Sequence, residues 1–520
     1  AQEGKEIGET LKARRARLPA VLQEYYEELA QYVDIVGTNK NEYFKVERLP
    51  EAQVRVQIFK KNVETNLPQG SSFFDRTFLR NETKEIRLYG LDGEDVVDVS
   101  GQADASIRVR IIGGNGQDSI RDVSEVKNYR RYTLVYDSTN TRLNLGPETR
   151  NLTSNDPNVN FYSPTSFAYN TYSPNGSIIY NESDGVGLAF GITYKQQHFR
   201  KKDFSAIYAF NVRATQFGNR QLTTNTLWRH VWKQWDLGAY LDLGYYFRTY
   251  DFFGLGNDTR KNETLYDDKF YKARYGGIMS AVFLQRQFFQ KSYFRIGPLY
   301  ENLTTDFRTN SFLGNPEDGM PQVNTTQQKL IGFNSDFVLD LRDKLVFTQR
   351  GLRIFVRHNT YRPIQGNRKA FGLTEGFIDY YGTGQVVLPV TLAIRLGGGR
   401  NYGENLPYYK FTTLGMRSNL RGYVINRFAG DASLYLNTEL RFHLGEVENA
   451  FLPFRYGGIV FFDRGRVWYQ NKSNGNWHDG YGGGFYIAPV AERFAFSMLL
   501  QHSREELLLF SFGAGFRFDQ

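Results

Sequence analysis

The 520-residue chain has no cysteine, four methionines and six histidines. Lack of cysteine excludes a disulfide scaffold and a thiolate metal site. The histidines, from His198 to His502, form no metal-spaced or triad-like cluster. A zinc-binding HExxH helix, a nucleophile elbow and a phosphate loop are also missing, so nothing here supports catalysis. Long apolar runs are missing too. The best candidate, Val386 to Ile394, is interrupted by Pro389 and Thr391, far short of the roughly 18 residues of a spanning helix. Net charge is only +9. Its Lys and Arg are scattered, which suits solubility and lipid-headgroup contact and gives no reason to expect nucleic acid. The opening Ala1-Gln-Glu-Gly-Lys5 is polar and carries no signal peptide, so we expect a mature form or a fragment of a longer protein.

What is abundant is aromatic: 42 Phe and 35 Tyr, in a chain whose mean hydropathy is −0.50. That combination suits a transmembrane β-barrel, in which only alternate residues face lipid. A soluble sandwich or propeller shares the strand preference. Alternation favours the barrel. Trp235, Leu237, Ala239, Leu241 and Leu243 share one face of a strand, whereas Asp236, Asp242 and Arg248 share the other. Charges two residues apart cannot face lipid cheaply, so they must face a wet or internally paired lumen. Segments of this kind from about 177 to 518 number about sixteen, with fourteen as the alternative because the first, 177–182, is short and weakly patterned. The last runs to the C-terminus, with Phe510, Phe512, Phe516 and Phe518 on one face and Ser511 and Gly513 on the other. A bare aromatic edge strand is hazardous in a soluble protein, but a barrel can pair it with the first strand. It also resembles the C-terminal recognition signal of bacterial outer-membrane barrels.

Four regions are expected. Residues 1–36 carry helical periodicity through Ile7, Leu11, Leu18, Leu22, Tyr25, Leu29 and Tyr32, with Pro19 opening a second helix. Residues 37–145 read as a β-rich periplasmic domain, 146–176 as a linker, and 177–520 as the barrel. The predicted fold is therefore a sixteen-stranded antiparallel transmembrane barrel with a small helical and β-rich N-terminal extension.

Two segments could carry chemistry. The loop over 401–430 contains Arg421-Gly422-Tyr423, and Phe461-Phe462-Asp463-Arg464-Gly465 follows one strand later. Asp463 sits at the end of the apolar run Ile459 to Phe462, where an unpaired charge is costly. A loop folded into the lumen with Arg421 on Asp463 would satisfy both groups. From the residues alone, a solvated loop arginine is the commoner alternative.

These motifs resemble the BamA/TamA outer-membrane superfamily, the bacterial surface antigen barrels. Its members place Arg-Gly-Tyr/Phe in the loop before the twelfth strand and Phe-x-Asp-x-Gly on the next strand but one. Asp340-Leu-Arg342-Asp343 with Gly351 is similar to the family's hairpin motif, and Gly482-Gly-Gly484 matches its Gly-rich strand. The resemblance covers residues 176–520. It implies that Arg421 pairs with Asp463 inside the barrel. It also implies an outer-membrane location, an N-terminal region in the periplasm, and a role in inserting or translocating client outer-membrane proteins, alongside accessory envelope subunits. Residues 1–160 show none of the βααββ POTRA modules of assembly members. They look like a Bacteroidota subgroup, through Arg87-Leu-Tyr-Gly-Leu-Asp-Gly93 and Arg110-Ile-Ile-Gly-Gly114. There the barrel can follow a metallophosphoesterase-like region, so a membrane anchor or export barrel for a fused hydrolase is the alternative function.

Gly90-x-x-Gly93-x-Asp95 and Gly113-Gly114-x-Gly116-x-Asp118 resemble calcium-binding turns, with Asp95 and Asp118 as the candidate ligands. They occur only twice, and tight turns between stacked strands is the reading we favour. No other cofactor is expected.

Overall fold

The computed structural model describes all residues except 1, 128–130, 164–167, 182–184, 200–203, 290, 308, 315–326, 366–368, 386, 417–418, 450–452, 473–474, 490–494 and 515–520. The chain divides into two compact units, Ala1–Ala168 and Tyr169–Gln520.

The first unit opens with helix α1 (Gln2–Ala30), which continues through Pro19 as one helix where the sequence predicted two, and which stops short of the expected residue 36 because Tyr32–Val36 pairs as a strand with Glu85–Tyr89. Twelve short strands follow: β1 (Tyr32–Val36), β2 (Glu42–Leu49), β3 (Gln53–Lys61), β4 (Pro68–Phe78), β5 (Glu85–Asp92) and β6 (Val96–Ala103). The rest are β7 (Arg108–Asn115), β8 (Ser119–Asp122), β9 (Glu125–Val126), β10 (Thr133–Tyr136), β11 (Arg142–Leu145) and β12 (Thr149–Asn151). They wind as a solenoid. Strands β1, β5, β7, β10 and β12 stack parallel in one sheet; β2, β6, β8 and β11 form the other, extended by β3 and β4. Glu85 pairs with Arg108, Val96 with Ser119 and Ser119 with Arg142, a repeat of 23 residues in these coils, and Val109 pairs with Thr133, a repeat of 24. Alternate residues of both sheets point inward. Val46, Val56, Ile86, Val99, Val109 and Val135 close the core between them. Strand β4 has an almost wholly exposed polar face, which left it unrecognised in the sequence.

The second unit is built on one antiparallel sheet of sixteen strands. In chain order these begin with β13 (Thr171–Asn181), β14 (Gly185–Gln196), β15 (Ala206–Thr215), β16 (Arg220–Trp232), β17 (Trp235–Asp251) and β18 (Lys272–Phe289). Next come β19 (Ser292–Asp306), β20 (Gln328–Asp340), β21 (Gly351–Pro363), β22 (Phe371–Gln385) and β23 (Pro389–Tyr402). A long loop carrying the small hairpin β24 (Thr412–Leu414) and β25 (Phe428–Gly430) precedes β26 (Ala432–Val447). The sheet ends with β27 (Phe454–Trp468), β28 (His478–Pro489), β29 (Phe496–Ser503) and β30 (Leu509–Ala514). The first barrel strand begins at Thr171, six residues before the expected 177, and pairs with β14 over its full length. The short-strand expectation was wrong because Pro174 and its polar neighbours hid an edge strand, where a missing N–H costs little.

The unit is polar inside and apolar outside. Phe333, Phe337, Ile378, Leu396, Phe485 and Phe512 are exposed, whereas Asp236, Asp242, Asp336, Asp379, Glu439 and Asp463 are buried. Water would penalise that outer surface; hydrocarbon would not. Neighbouring strands satisfy the backbone, as a bilayer requires. This is a transmembrane β-barrel. Among the described residues no ladder joins β13 to β30.

Candidate functional site

The loop between β23 and β26 folds into the barrel, and Leu420, Arg421, Tyr423 and Phe428 are each at most 1% exposed. Arg421 is its anchor. Its Nε donates to Asp463 Oδ2 at 2.8 Å and its Nη2 to Asp463 Oδ1 at 2.7 Å. Its backbone N–H donates to the same carboxylate at 2.9 Å. The remaining edge of the guanidinium reaches Glu439 on β26, 2.5 Å from Nη1. Its flat face lies over the Phe461 ring at 3.8 Å. Every side of the cation is thus occupied, the condition under which a buried charge can be retained.

The approach is made possible by two glycines. Gly422 takes φ +88, and a Cβ there would sit 2.5 Å from the His502 carbonyl oxygen. On β28, a Cβ at Gly480 would come within 1.7 Å of the Arg421 carbonyl oxygen. The loop therefore lies directly against the wall. Gly422 N–H donates to Gln501 Oε1 on β29 at 3.1 Å, and Tyr423 OH donates to the Asp479 carbonyl at 3.2 Å. Asp463, Gly480 and Gln501 lie on three successive strands, so this corner of the loop spans β27, β28 and β29. Gly465 lies two residues beyond Asp463 on β27, opposite Tyr435.

The hairpin motif occupies the turn between β20 and β21. Arg342 forks onto Asp340 at 2.9 and 2.7 Å. Asp343 Oδ1 accepts from the Lys344, Gln349 and Arg350 N–H groups. Gly351 takes φ +132 against the Arg342 backbone. The turn so shaped buries Phe347 among Ile459, Phe461, Tyr486 and Leu499. Arg441 Nε donates to Glu439 at 2.7 Å, and its Nη1 donates to the Thr348 carbonyl at 3.4 Å. A polar chain thus runs inside the barrel along β27 and β26: Asp463, Arg421, Glu439, Arg441, then the Thr348 carbonyl. It connects the inserted loop to the turn.

Glu439 and Arg441 were not singled out from the sequence, although their spacing of two on an alternating strand was available as a signal. Two other pins had none. Lys410 pairs with Glu301 at 2.7 Å and donates to Tyr361 OH at 3.1 Å. Arg427 forks onto Glu505 at 2.6 and 2.8 Å and donates to the Thr259 carbonyl. Beside the loop remains a lumen cavity of about 430 Å³, lined by Arg248, Arg295, Glu301, Asp336, Arg357 and Lys410 among others.

Ser511 and Gly513 lie on β30, where Gln501 Nε2 donates to Ser511 Oγ at 2.5 Å. Phe516 and Phe518 fall outside the described residues. Gly482 to Gly484 lie on β28.

Asp95 and Asp118 occupy equivalent turns of successive solenoid coils. Glu42 N–H donates to Asp95 Oδ1 and Asp95 N–H to Asp118 Oδ1, both at 2.8 Å. Above them Asp137 takes the place that Gly113 holds one coil below, as the Tyr136–Ile112 register shows. Burial pushes Asp95 up to about 8 and Asp118 to about 7, and raises Asp137 as well. Among the described residues no three acidic or histidine groups converge as metal ligands.

No family model and no curated protein matches the chain. Among solved structures it is similar to BamA from Haemophilus ducreyi lacking POTRA domains 1–3, at 13% identity and TM-score 0.48, over 67% of this chain and 70% of that one. It is also similar to CdiB from Acinetobacter baumannii, at 13% identity and TM-score 0.40 over 66% and 58% of the two chains. For CdiB from Escherichia coli the values are 11%, 0.42, 66% and 61%. The chain thus spans about three fifths of the length of the two CdiB chains. With TM-scores below 0.5, a functional reading has to stand on the geometry of this chain.

Proposed function

We propose that this chain is an outer-membrane barrel of the BamA/TamA type, with its first unit in the periplasm, that assists insertion or translocation of polypeptides. The observation that carries the reading is the buried Arg421 pin, which holds the inserted loop across β27, β28 and β29, the three strands that precede β30. A barrel that must stay closed needs a continuous seam. A barrel that admits a client needs a weak seam and a rigid wall beside it. An opened seam offers unpaired N–H and C=O groups to the edge strand of an unfolded client, the chemistry of strand addition. The inserted loop also argues against a passive pore.

Depleting the protein from its native cells and quantifying the other outer-membrane barrels tests this reading. Their abundance should fall; undiminished barrels would remove the client role. A second reading, a barrel that anchors or exports a fused hydrolase, is favoured by the solenoid architecture of the first unit, which is unlike a series of βααββ modules. A native mass well above 60.1 kDa would promote that reading.

A further inference from the structure

Helix α1 presents an apolar seam that nothing described in its unit covers. Leu11, Arg15, Leu18, Leu22, Tyr25 and Leu29 follow one another at alternating spacings of four and three, the pattern of a two-helix interface. The four leucines and Tyr25 are between 46% and 62% exposed. Tyr26, on the flank, is tied to Glu82 and Arg76 at 3.2 and 3.3 Å, so the helix is held at its C-terminal end while the seam stays open. An amphipathic helix takes most of its stability from burying that face, and here the face has no partner among the described residues of the unit.

Charge along the helix identifies the partner. Its middle is basic (Lys12, Arg14, Arg15, Arg17) and its C-terminal part acidic (Glu24, Glu27, Glu28). We propose that α1 pairs antiparallel with α1 of a second copy of this chain, about a two-fold axis beside Ala20. Leu11 then packs on Leu29 of the other copy, Leu18 on Leu22, and Arg15 lies over Tyr25 as a cation–π pair. Arg14 faces Glu28 across the flank, twice by symmetry. A parallel pair would set Arg15 on Arg15 in the seam and the basic run against itself, which like-charge repulsion disfavours. An anionic lipid surface would accept the basic run but would repel the acidic one.

The lack of native cysteine makes the test direct. The full-length protein is prepared as Leu11→Cys and as Leu29→Cys, reconstituted separately and as a mixture, and oxidised. The antiparallel pair predicts disulfide dimers in the mixture and essentially none in either protein alone. Dimers of Leu11→Cys alone mean a parallel pair, and no dimer in any sample means another occupant; each overturns the proposal. Charge exchange provides a check free of cysteine. Arg14→Glu should weaken dimerisation roughly tenfold, and adding Glu28→Arg should restore it. Failure of that rescue would also count against the pairing.

Discussion

The arginine-locked carboxylates of the barrel and the Asp95 and Asp118 turns of the solenoid bury acidic groups in opposite ways, although the solenoid also locks Glu85 to Arg110 at 2.7 Å. In the barrel, Asp463 and Glu439 share Arg421, Asp379 holds Arg395 at 2.6 Å, and Asp340 holds Arg342 at 2.7 Å. In the solenoid, Asp95 and Asp118 accept from the backbone N–H groups of Glu42 and Asp95, with no cation bonded to either among the described residues. A carboxylate locked to an arginine stays charged and acts as a fixed pin. Carboxylates buried without a cation keep their protons because burial penalises the charge, with repulsion between Asp95 and Asp118 adding to it. The barrel's network is therefore built to be rigid, and the solenoid's column to titrate.

The largest effect that can break this contrast is Arg421→Ala. It strands two buried carboxylates, and breaking such a pair costs about 3–5 kcal/mol. The heat resistance of the folded barrel on semi-native gels should drop accordingly, with Arg421→Lys intermediate because the fork is lost but the charge remains. Gly480→Ala comes next. Its Cβ would collide with a backbone oxygen that cannot rotate away, so the loop must lift, at about 1–3 kcal/mol by analogy with overpacking. Unchanged heat resistance there would mean that the loop does not press on β28.

The solenoid supplies the pH-dependent arm. Folding raises Asp95 from the ordinary 3.8 to about 8, so the folded unit holds more protons than the unfolded chain across that window. Its stability is greatest at the acid end and falls as pH rises towards 8, then levels. Asp95→Asn should flatten this slope, so that the variant gains most over the wild type near pH 8. Hydrogen exchange of peptides from 85–145 in the whole protein measures it; an unaltered slope in the variant would place the protons elsewhere. The smallest effect belongs to Arg55–Asp75, a bidentate pair at 2.9 and 2.7 Å with both partners exposed. Arg55→Ala should change nothing measurable, because the charges are already solvated.

Much of this was legible in the sequence. A barrel of about sixteen strands, with fourteen left open, followed from alternation, since inward charges and outward aromatics cannot exchange faces. Arg421 and Asp463 were found through their motifs and the cost of an unpaired Asp463. The Arg427–Glu505 and Lys410–Glu301 pairs were not, because residues far apart in the chain leave no spacing signal. The third carboxylate of the column, Asp137, escaped because it stands where earlier coils carry glycine, and only the strand register reveals the equivalence. Strand β13 was truncated in the reading because Pro174 marks a turn in most contexts and an edge strand in this one.

Arg421 braces the final strands of the barrel. Backbone hydrogen exchange, followed strand by strand in the wild type and in Arg421→Ala, would show it. Exchange should quicken in 412–430 and in β28 to β30, with β20 to β22 unchanged. Equal protection of β28 to β30 in both proteins would contradict it.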